Sequence, residues 1–227
     1  MKRTLVVVAH PDDEILGCGG TIARITKDKD EVRVLILGTG ISSRYDNNKK
    51  KSIIAEEIST LTNCAVLAND SVGVTDVVFE DFPDNAFDTV PLLDIIKRVE
   101  KEIDCFKPET ILTHFRDDLN IDHKLTYQAV VTASRPSTGS SVKAIFSFEV
   151  LSSTEWGYPT NFSPNVFVDV SSTIQYKMDA LQYYESEMKN GALYPRSFEG
   201  VQNNARLWGL KIGVEYAEAF ELIRIII

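Results

Sequence analysis

Along the first 132 residues, short continuous apolar runs alternate with longer segments in which apolar residues recur every three or four positions. The first run, TLVVVA at residues 4–9, is rich in β-branched side chains and is typical of a strand buried on both faces. We predict strands over residues 4–9, 31–37 and 110–114, a short strand within 72–82, and helices over residues 17–29, 47–62, 88–106 and 123–132. This alternation indicates a mostly parallel sheet with helices on both sides.

The pattern changes after Gly139, where strands and helices no longer alternate regularly. We predict strands over residues 142–150, 165–170 and 221–227, and helices over residues 174–188 and 201–219. No linker, repeat or low-complexity segment divides the chain. We therefore interpret residues 1–227 as a single domain of the α/β class. The predicted fold is a Rossmann-like three-layer sandwich with a mostly parallel sheet and a C-terminal elaboration.

Charge and cysteine content exclude several classes of protein. With 24 Lys and Arg against 33 Asp and Glu, the net charge is −9, which disfavours sequence-independent binding to nucleic acid or to an anionic membrane. Three scattered cysteines without a CxxC pair predict neither a disulfide framework nor a thiolate zinc site, and they favour the cytoplasm. The N-terminal apolar run is too short for a signal peptide, and no run approaches the roughly 20 residues of a membrane span.

The chain contains only three histidines, and all three lie in two short segments that each leave the end of a predicted strand. His10 follows the first strand, whereas His114 and His123 flank an acidic loop after the strand at 110–114. Ligand sites form at the carboxyl ends of parallel strands, and imidazole with carboxylate suits Zn²⁺ that keeps an open coordination position. Either segment alone could be an ordinary turn or a surface loop. The two together favour a metal site.

Gly17, Gly19 and Gly20 offer a different interpretation, since a glycine-rich turn between strand and helix can hold a phosphate. The spacing G-C-G-G is not G-x-G-x-x-G, and these glycines follow His10 by seven residues or more. We therefore predict that they allow the first helix to pack closely against the sheet.

The sequence AHPDDE at residues 9–14 resembles the first motif of the LmbE-like, or PIG-L, family of zinc-dependent N-deacetylases. DLNIDH at residues 118–123 resembles the second metal motif of that family. Four further segments are similar to recurring family segments: GISSR at 40–44, FPDN at 82–85, YPRS at 194–197 and AEAF at 217–220. The resemblance thus covers nearly the whole chain.

The resemblance implies His10, Asp13 and His123 as zinc ligands and Asp12 as the general base on a zinc-bound water. Three protein ligands leave a fourth position for water, whose pKa falls to about 7 on Zn²⁺. A carboxylate beside that water can take its proton as the oxygen attacks an amide carbonyl. The implied reaction removes the N-acetyl group from an N-acetylglucosamine-type sugar or glycoconjugate.

One position departs from the family pattern, because many members have a histidine where this chain has Asn120. An amide can donate a hydrogen bond but cannot carry a proton. Either Asp12 acts first as base and then as acid, or His114 reaches into the site; His114 could equally be a strand-end residue that bonds a neighbour. Asp122 either orients a group beside the metal or caps the helix that begins there.

Three further side chains are candidates for substrate binding. Arg44 and Arg196 could hold a sugar hydroxyl or a phosphate, and Trp156 could stack on a pyranose ring. Each could instead be an ordinary loop or rim residue. Two other functions stay open: a zinc amidase that cleaves a different C–N bond, such as that of a thiol conjugate, and a non-catalytic module that binds a sugar or nucleotide. The sequence leaves the oligomeric state open, a homo-oligomer included.

Overall fold

The computed structural model describes residues 2–45, 51–189, 191 and 193–227. Within these residues, one sheet of seven strands is covered by six α-helices, which confirms the predicted three-layer α/β fold. The strands are β1 (Arg3–Val8), β2 (Glu31–Gly38), β3 (Asp76–Phe82), β4 (Thr110–His114), β5 (Ala144–Phe148), β6 (Val166–Asp169) and β7 (Ala217–Ile225). The helices are α1 (Asp13–Lys27), α2 (Lys51–Ser71), α3 (Leu92–Phe106), α4 (Ile121–Ala133), α5 (Ile174–Tyr183) and α6 (Phe198–Ile212).

The order of the strands places a ligand site at the centre of the sheet. Neighbouring strands follow the order β3-β2-β1-β4-β5-β7-β6. The first five are parallel, and β7 runs antiparallel to both β5 and β6. The chain passes from β1 to β2 and β3 on one side and then crosses to β4 on the other. The carboxyl ends of β1 and β4 therefore form the switch point at which open α/β sheets bind ligands.

Alternate residues of β1 face the two halves of the core. Val6 and Val8 pack with apolar residues of α1, α2 and α5, while Leu5 and Val7 pack with residues of α3 and α4. All four side chains are fully buried. A strand covered on both faces needs no polar alternation, which explains its continuous β-branched sequence.

Several predicted boundaries are wrong at the C-terminal side. The helix predicted over 201–219 ends at Ile212, because Gly213 adopts a left-handed conformation (φ 78°) that closes the helix, and β7 starts at Ala217. The helix predicted over 174–188 ends at Tyr183 and continues as turns. The strand predicted over 142–150 covers only Ala144–Phe148.

Helices α1 and α2 also differ from their predicted spans. The predicted start of α2 at Asn47 lies outside the described residues, and α2 continues to Ser71 because buried alanines extend its apolar face. α1 begins at Asp13 rather than at Gly17 and is interrupted at Cys18. A Cβ on Gly17 would come within 2.1 Å of the Phe148 ring, so the prediction of close packing against the sheet is confirmed there. Among the described helices, none is both long and apolar enough to cross a bilayer.

Candidate metal centre and active site

A polar cavity of about 390 Å³ opens at the carboxyl ends of β1 and β4. The turn after β1 forms its floor, and the loops after β2, β3, β4, β5 and α5 form its walls. The lining residues include predicted site residues from both ends of the chain: His10, Asp12, Asp13, Arg44, Asn120, His123 and Arg196. Sequence-distant candidates are thus brought together in one place.

Asp13 lies at the centre of the histidine cluster. Its Oδ2 is 3.5 Å from His10 Nδ1 and 3.3 Å from His123 Nε2, and it accepts a hydrogen bond of 2.8 Å from the backbone N–H of His10. One ligand atom from each of these three residues falls within 4.8 Å of the others. Two imidazole nitrogens and a carboxylate oxygen therefore converge at the predicted metal position.

Opposite charges within the cluster lower the pKa of Asp13 and raise those of His10 and His123. Burial raises the pKa of Asp13, but the charge of His123 and hydrogen bonds from His10 and His123 bring it well below its usual range. Burial lowers the pKa of His10, yet hydrogen bonds to Asp122 and Asp13 raise it to about 9. Burial likewise lowers the pKa of His123, and the charges of Asp13 and Asp118 raise it to about 10. These carboxylates stabilise positive charge in the cluster.

His10 is oriented from behind by Asp122. His10 Nε2 lies 3.0 Å from Asp122 Oδ2 and 3.3 Å from Asp84 Oδ1, and the backbone N–H of Phe87 donates to the other oxygen of Asp122. A carboxylate accepts hydrogen bonds, so Nε2 of His10 donates to Asp122, and Nδ1 is the nitrogen that faces Asp13. Asp122 does not cap α4, because Asn120 fills that position.

The same contacts define a second group that could hold a cation, formed by His10, Asp84 and Asp122. Its carboxylates are already engaged: Asp84 accepts hydrogen bonds from the backbone and hydroxyl of Ser43, and Asp122 accepts from Phe87. The cluster around Asp13 has the more suitable donors, since it offers two imidazoles rather than one.

His123 is oriented by Asp118. His123 Nδ1 lies 3.1 Å from Asp118 Oδ1, and Asp118 also accepts hydrogen bonds from the hydroxyls of Ser153 and Thr154 and from the backbone N–H of Asn120. Burial raises the pKa of Asp118, but the charge of His123 and these hydrogen bonds lower it to about 2. The ionised carboxylate of Asp118 therefore orients the ring of His123. Its hydrogen bonds also fix the loop before α4.

His114 lies beneath the cavity rather than in it. Its Nε2 accepts a hydrogen bond of 2.9 Å from the backbone N–H of Ala9, and its ring stacks on His123 with centroids 3.9 Å apart. It is fully buried and is not among the described residues that line the cavity. Burial and the charge of His123 lower its pKa to about 3. His114 Nε2 also lies 3.5 Å from Asp13 Oδ2. Because this nitrogen accepts the backbone N–H of Ala9, it has no proton to donate on that side, which argues against the alternative in which His114 reaches into the site as a proton donor.

Asp12 is held by Arg196, which the sequence analysis proposed as a substrate-binding residue. Arg196 Nη1 donates to Asp12 Oδ2 at 2.9 Å. Burial raises the pKa of Asp12, the charge of Arg196 opposes this, and the charge of Asp13 adds to it. Arg44 is similarly engaged, since it donates to Glu187 and to the carbonyl of Gly40. Both arginines line the cavity but are fixed by protein carboxylates.

Asn120 caps α4 and has a fixed amide orientation. Its Oδ1 accepts the backbone N–H of Asp122 at 2.8 Å, and its Nδ2 donates to Asn85 Oδ1 at 2.8 Å. Both atoms of the Asn120 amide are therefore hydrogen-bonded to neighbouring residues of the protein. Trp156 is not among the described residues that line the cavity; its ring packs edge-on against Tyr194, with centroids 5.4 Å apart.

Four acidic residues of the site are absent from the sequence-based site prediction. Asp84 and Asp118 lie within FPDN and DLNIDH, so the motif resemblance could have indicated them. Glu14 follows the two aspartates of AHPDDE and is buried beneath them. Glu187 carries no local signal, because its partner Arg44 is 143 positions away.

Comparison with known proteins gives a match to a sequence family. The family model for PIG-L, described as GlcNAc-PI de-N-acetylase, matches residues 5–134. The diacetylchitobiose deacetylase of Thermococcus kodakarensis is 24% identical over 240 residues, which cover 98% of this chain and 84% of that protein. The match to the family model includes both histidine segments of the cluster.

Solved structures share the fold. N,N′-diacetylchitobiose deacetylase from Pyrococcus horikoshii, in complex with the inhibitor MPG, has a TM-score of 0.78 at 19% identity, over 98% of this chain and 84% of that one. GalB from Pseudomonas putida KT2440, a 4-carboxy-2-hydroxymuconate hydratase, has a TM-score of 0.79 at 21% identity, over 100% and 98% of the two chains. A deacetylase and a hydratase thus share this architecture, and the reaction must be argued from the site.

Proposed function

Because the chain belongs to the PIG-L family, we propose that it is a zinc-dependent hydrolase that removes the N-acetyl group from an N-acetylglucosamine-type sugar or glycoconjugate. The observation that carries this proposal is the convergence of His10, Asp13 and His123 within 4.8 Å, beside the carboxylate of Asp12. Cavity residues come from both ends of the chain, so we assign the catalytic unit to residues 1–227 as one domain.

The donor set fits a catalytic zinc ion. Two imidazoles and one carboxylate are a common set of three protein ligands, and they leave a coordination position open. Asp122 and Asp118 stand behind His10 and His123, as acidic partners commonly do for metal-binding imidazoles. Bound zinc would lower the pKa of a water molecule to about 7 and would polarise a carbonyl oxygen.

In the proposed mechanism, Asp12 moves the proton. Its carboxylate lines the cavity beside the cluster, and Arg196 holds it in place. Asp12 would accept a proton from the attacking water and then deliver it to the leaving nitrogen. His114 is buried and bonded to Ala9, and Asn120 cannot carry a proton, so the second transfer also falls to Asp12.

The polar wall of the cavity suits a sugar. Ser43, Asn85 and Asn120 line the cavity and are joined by hydrogen bonds, and the acceptor sites and amide hydrogens that these bonds leave free can pair with sugar hydroxyls. Arg44 would contribute from a position fixed by Glu187. The small-molecule substrate, the cytoplasmic location, and the lack of a nucleic-acid or membrane partner stay predictions from the sequence, and a homo-oligomer remains open.

A substrate panel tests the proposal. The metal-loaded protein is incubated with N-acetylglucosamine, its glycosides, a nucleotide sugar, diacetylchitobiose and an amide-linked thiol conjugate, and both acetate and free amine are measured. We expect equimolar acetate and amine from at least one acetamido sugar, and release of both that is roughly 10²–10⁴-fold slower from Asp12→Asn. A metal-loaded protein that cleaves only the thiol conjugate, or none of these compounds, would contradict the proposal.

A further inference from the structure

The backbone of Asp12 has an unusual conformation for a residue with a side chain. Its φ is 109° and its ψ is −30°. In an extended segment, neighbouring side chains point in opposite directions. Here Asp12 reaches Arg196 while Asp13 reaches His123, and both residues line the same cavity. The turn at Asp12 is what allows this arrangement, and such a conformation persists only where its surroundings hold it.

Glu14 supplies a direct restraint on that conformation. Its Oε2 accepts the backbone N–H of Asp12 at 3.1 Å. Its other oxygen accepts the hydroxyl of Tyr184 at 2.7 Å and the Nδ2 amide of Asn69 at 2.9 Å. Asn69 lies in α2 and Tyr184 directly follows α5, so two helices anchor the carboxyl group.

The chemistry of these contacts calls for a carboxylate. Three donors point at Glu14, and an ionised carboxylate has acceptor sites on both of its oxygens. A glutamine amide offers one oxygen and one NH₂ group, so it cannot accept all three hydrogen bonds. Glu14 is fully buried and is not among the described residues that line the cavity, so it does not contact a substrate there.

We propose that Glu14 is a positioning residue that holds the backbone N–H of Asp12 and thereby directs the Asp12 carboxylate into the cavity. The proposal rests on the role of Asp12 in the proposed function. It assigns a task to a buried acid that neither binds the metal nor moves a proton. It also explains how adjacent aspartates serve one site.

A double-mutant cycle in activity tests this positioning role. We expect Glu14→Gln to lower kcat by roughly 10–10²-fold, the scale of a small misplacement of a catalytic group, with KM and zinc content unchanged. In an Asp12→Asn background, Glu14→Gln should lower kcat no further, because Glu14 acts through Asp12. Equal losses in both backgrounds, or no loss in either, would overturn the proposal.

Glu149→Gln is the matched control. Glu149 is a partly buried carboxylate, and it accepts hydrogen bonds from Asn204 and from the Trp208 ring nitrogen, with no contact to Asp12 in the described structure. We expect its replacement to leave kcat within about two-fold of the parent, as for substitutions with no shared partners. A loss as large as that of Glu14→Gln would show a general effect of removing a hydrogen-bonded glutamate and would overturn the proposal.

A melting experiment tests the restraint without any activity. Glycine tolerates the positive φ at position 12 and alanine does not, so Asp12→Gly should melt above Asp12→Ala. When Glu14→Gln is added to both variants, the backbone at position 12 of the alanine variant is no longer held at positive φ and can relax. The difference in Tm between Asp12→Gly and Asp12→Ala should therefore become smaller. An unchanged difference in Tm would overturn the proposal that Glu14 restrains the backbone of Asp12. This arm decides the matter even if no acetamido sugar is cleaved, which would contradict only the proposed function.

Discussion

At the scale of the residue, the neighbouring aspartates of the turn after β1 differ in their surroundings. Asp13 faces the rings of His10 and His123 and is held as an anion. Asp12 faces the guanidinium of Arg196, and burial raises its pKa. A group held as an anion suits a metal ligand, whereas a group that both accepts and releases a proton suits a base.

Separate asparagine substitutions should distinguish these roles. Asp12→Asn keeps the size of the side chain, so we expect full zinc content and a kcat lower by roughly 10²–10⁴-fold. Asp13→Asn should lose zinc first, because the anionic ligand is gone. Metal analysis beside steady-state kinetics measures both effects. The opposite pattern would require the two roles to be exchanged.

His114 provides a second test at this scale. Glutamine offers an oxygen that can accept the backbone N–H of Ala9 in place of the imidazole. We therefore expect His114→Gln to change kcat little, which steady-state kinetics on an acetamido sugar would measure. A loss of roughly 10²-fold with zinc retained, the scale of a general acid, would return the proton-donor role to His114.

At the scale of the element, α1 is built around a break. Cys18 leaves the helical conformation (φ −146°, ψ 24°), and a buried ion pair bridges the interruption. Lys177 Nζ donates to the carbonyl of Leu16 before the break, and Glu218 accepts the backbone N–H groups of Gly20 and Thr21 after it. The pair thus satisfies backbone groups that the interrupted helix cannot satisfy itself.

Breaking this ion pair should destabilise the fold. We expect Lys177→Met to lower the free energy of unfolding by about 3–5 kcal/mol, because the charge of Glu218 is left buried without its partner. Chemical denaturation of this variant and of Lys177→Met with Glu218→Gln measures the effect. The double variant should lose less than the single one; an equal or larger loss would show that the uncompensated charge is not the cause.

Local sequence predicts most elements but not all their ends. The apolar run of β1 and the periodic face of α3 are local signals, and both elements form. β1 lies one residue from its predicted position, and α3 ends at Phe106 as predicted but begins at Leu92 rather than at residue 88. The end of α6 depends on Gly213, whose left-handed conformation is only one of those open to glycine. Residues 217–219 pair with β6, and that long-range pairing prevails over their helix-compatible sequence.

The same contrast applies to the site. His10 and His123 stand at predicted strand and helix ends, so topology alone indicates that they meet. The sequence leaves open whether Asp122 orients a group beside the metal or caps α4, and only the tertiary structure shows that it faces His10. Arg196 looks like a substrate residue, yet its nearest charge is Asp12, 184 positions away. Long-range pairs of this kind carry no local pattern.

At the scale of the whole molecule, the cavity joins the two halves of the chain. The family match covers residues 5–134, whereas Glu187 and Arg196 come from the segment between α5 and α6. The C-terminal elaboration therefore supplies the groups that hold Asp12 and Arg44. A structural neighbour with hydratase activity has the same architecture, so the fold does not select the reaction.

A zinc titration of the metal-free protein tests most directly whether this cluster performs the reaction. Acetate release from a cleaved acetamido sugar is followed while zinc is added to the metal-free chain and, in parallel, to His123→Ala. We expect the rate to rise linearly and level off at about one zinc per chain, and the variant to stay inactive, because three protein ligands define one catalytic ion. Full activity without metal, or a zinc-dependent rate in His123→Ala equal to that of the parent, would contradict the assignment of the reaction to His10, Asp13 and His123.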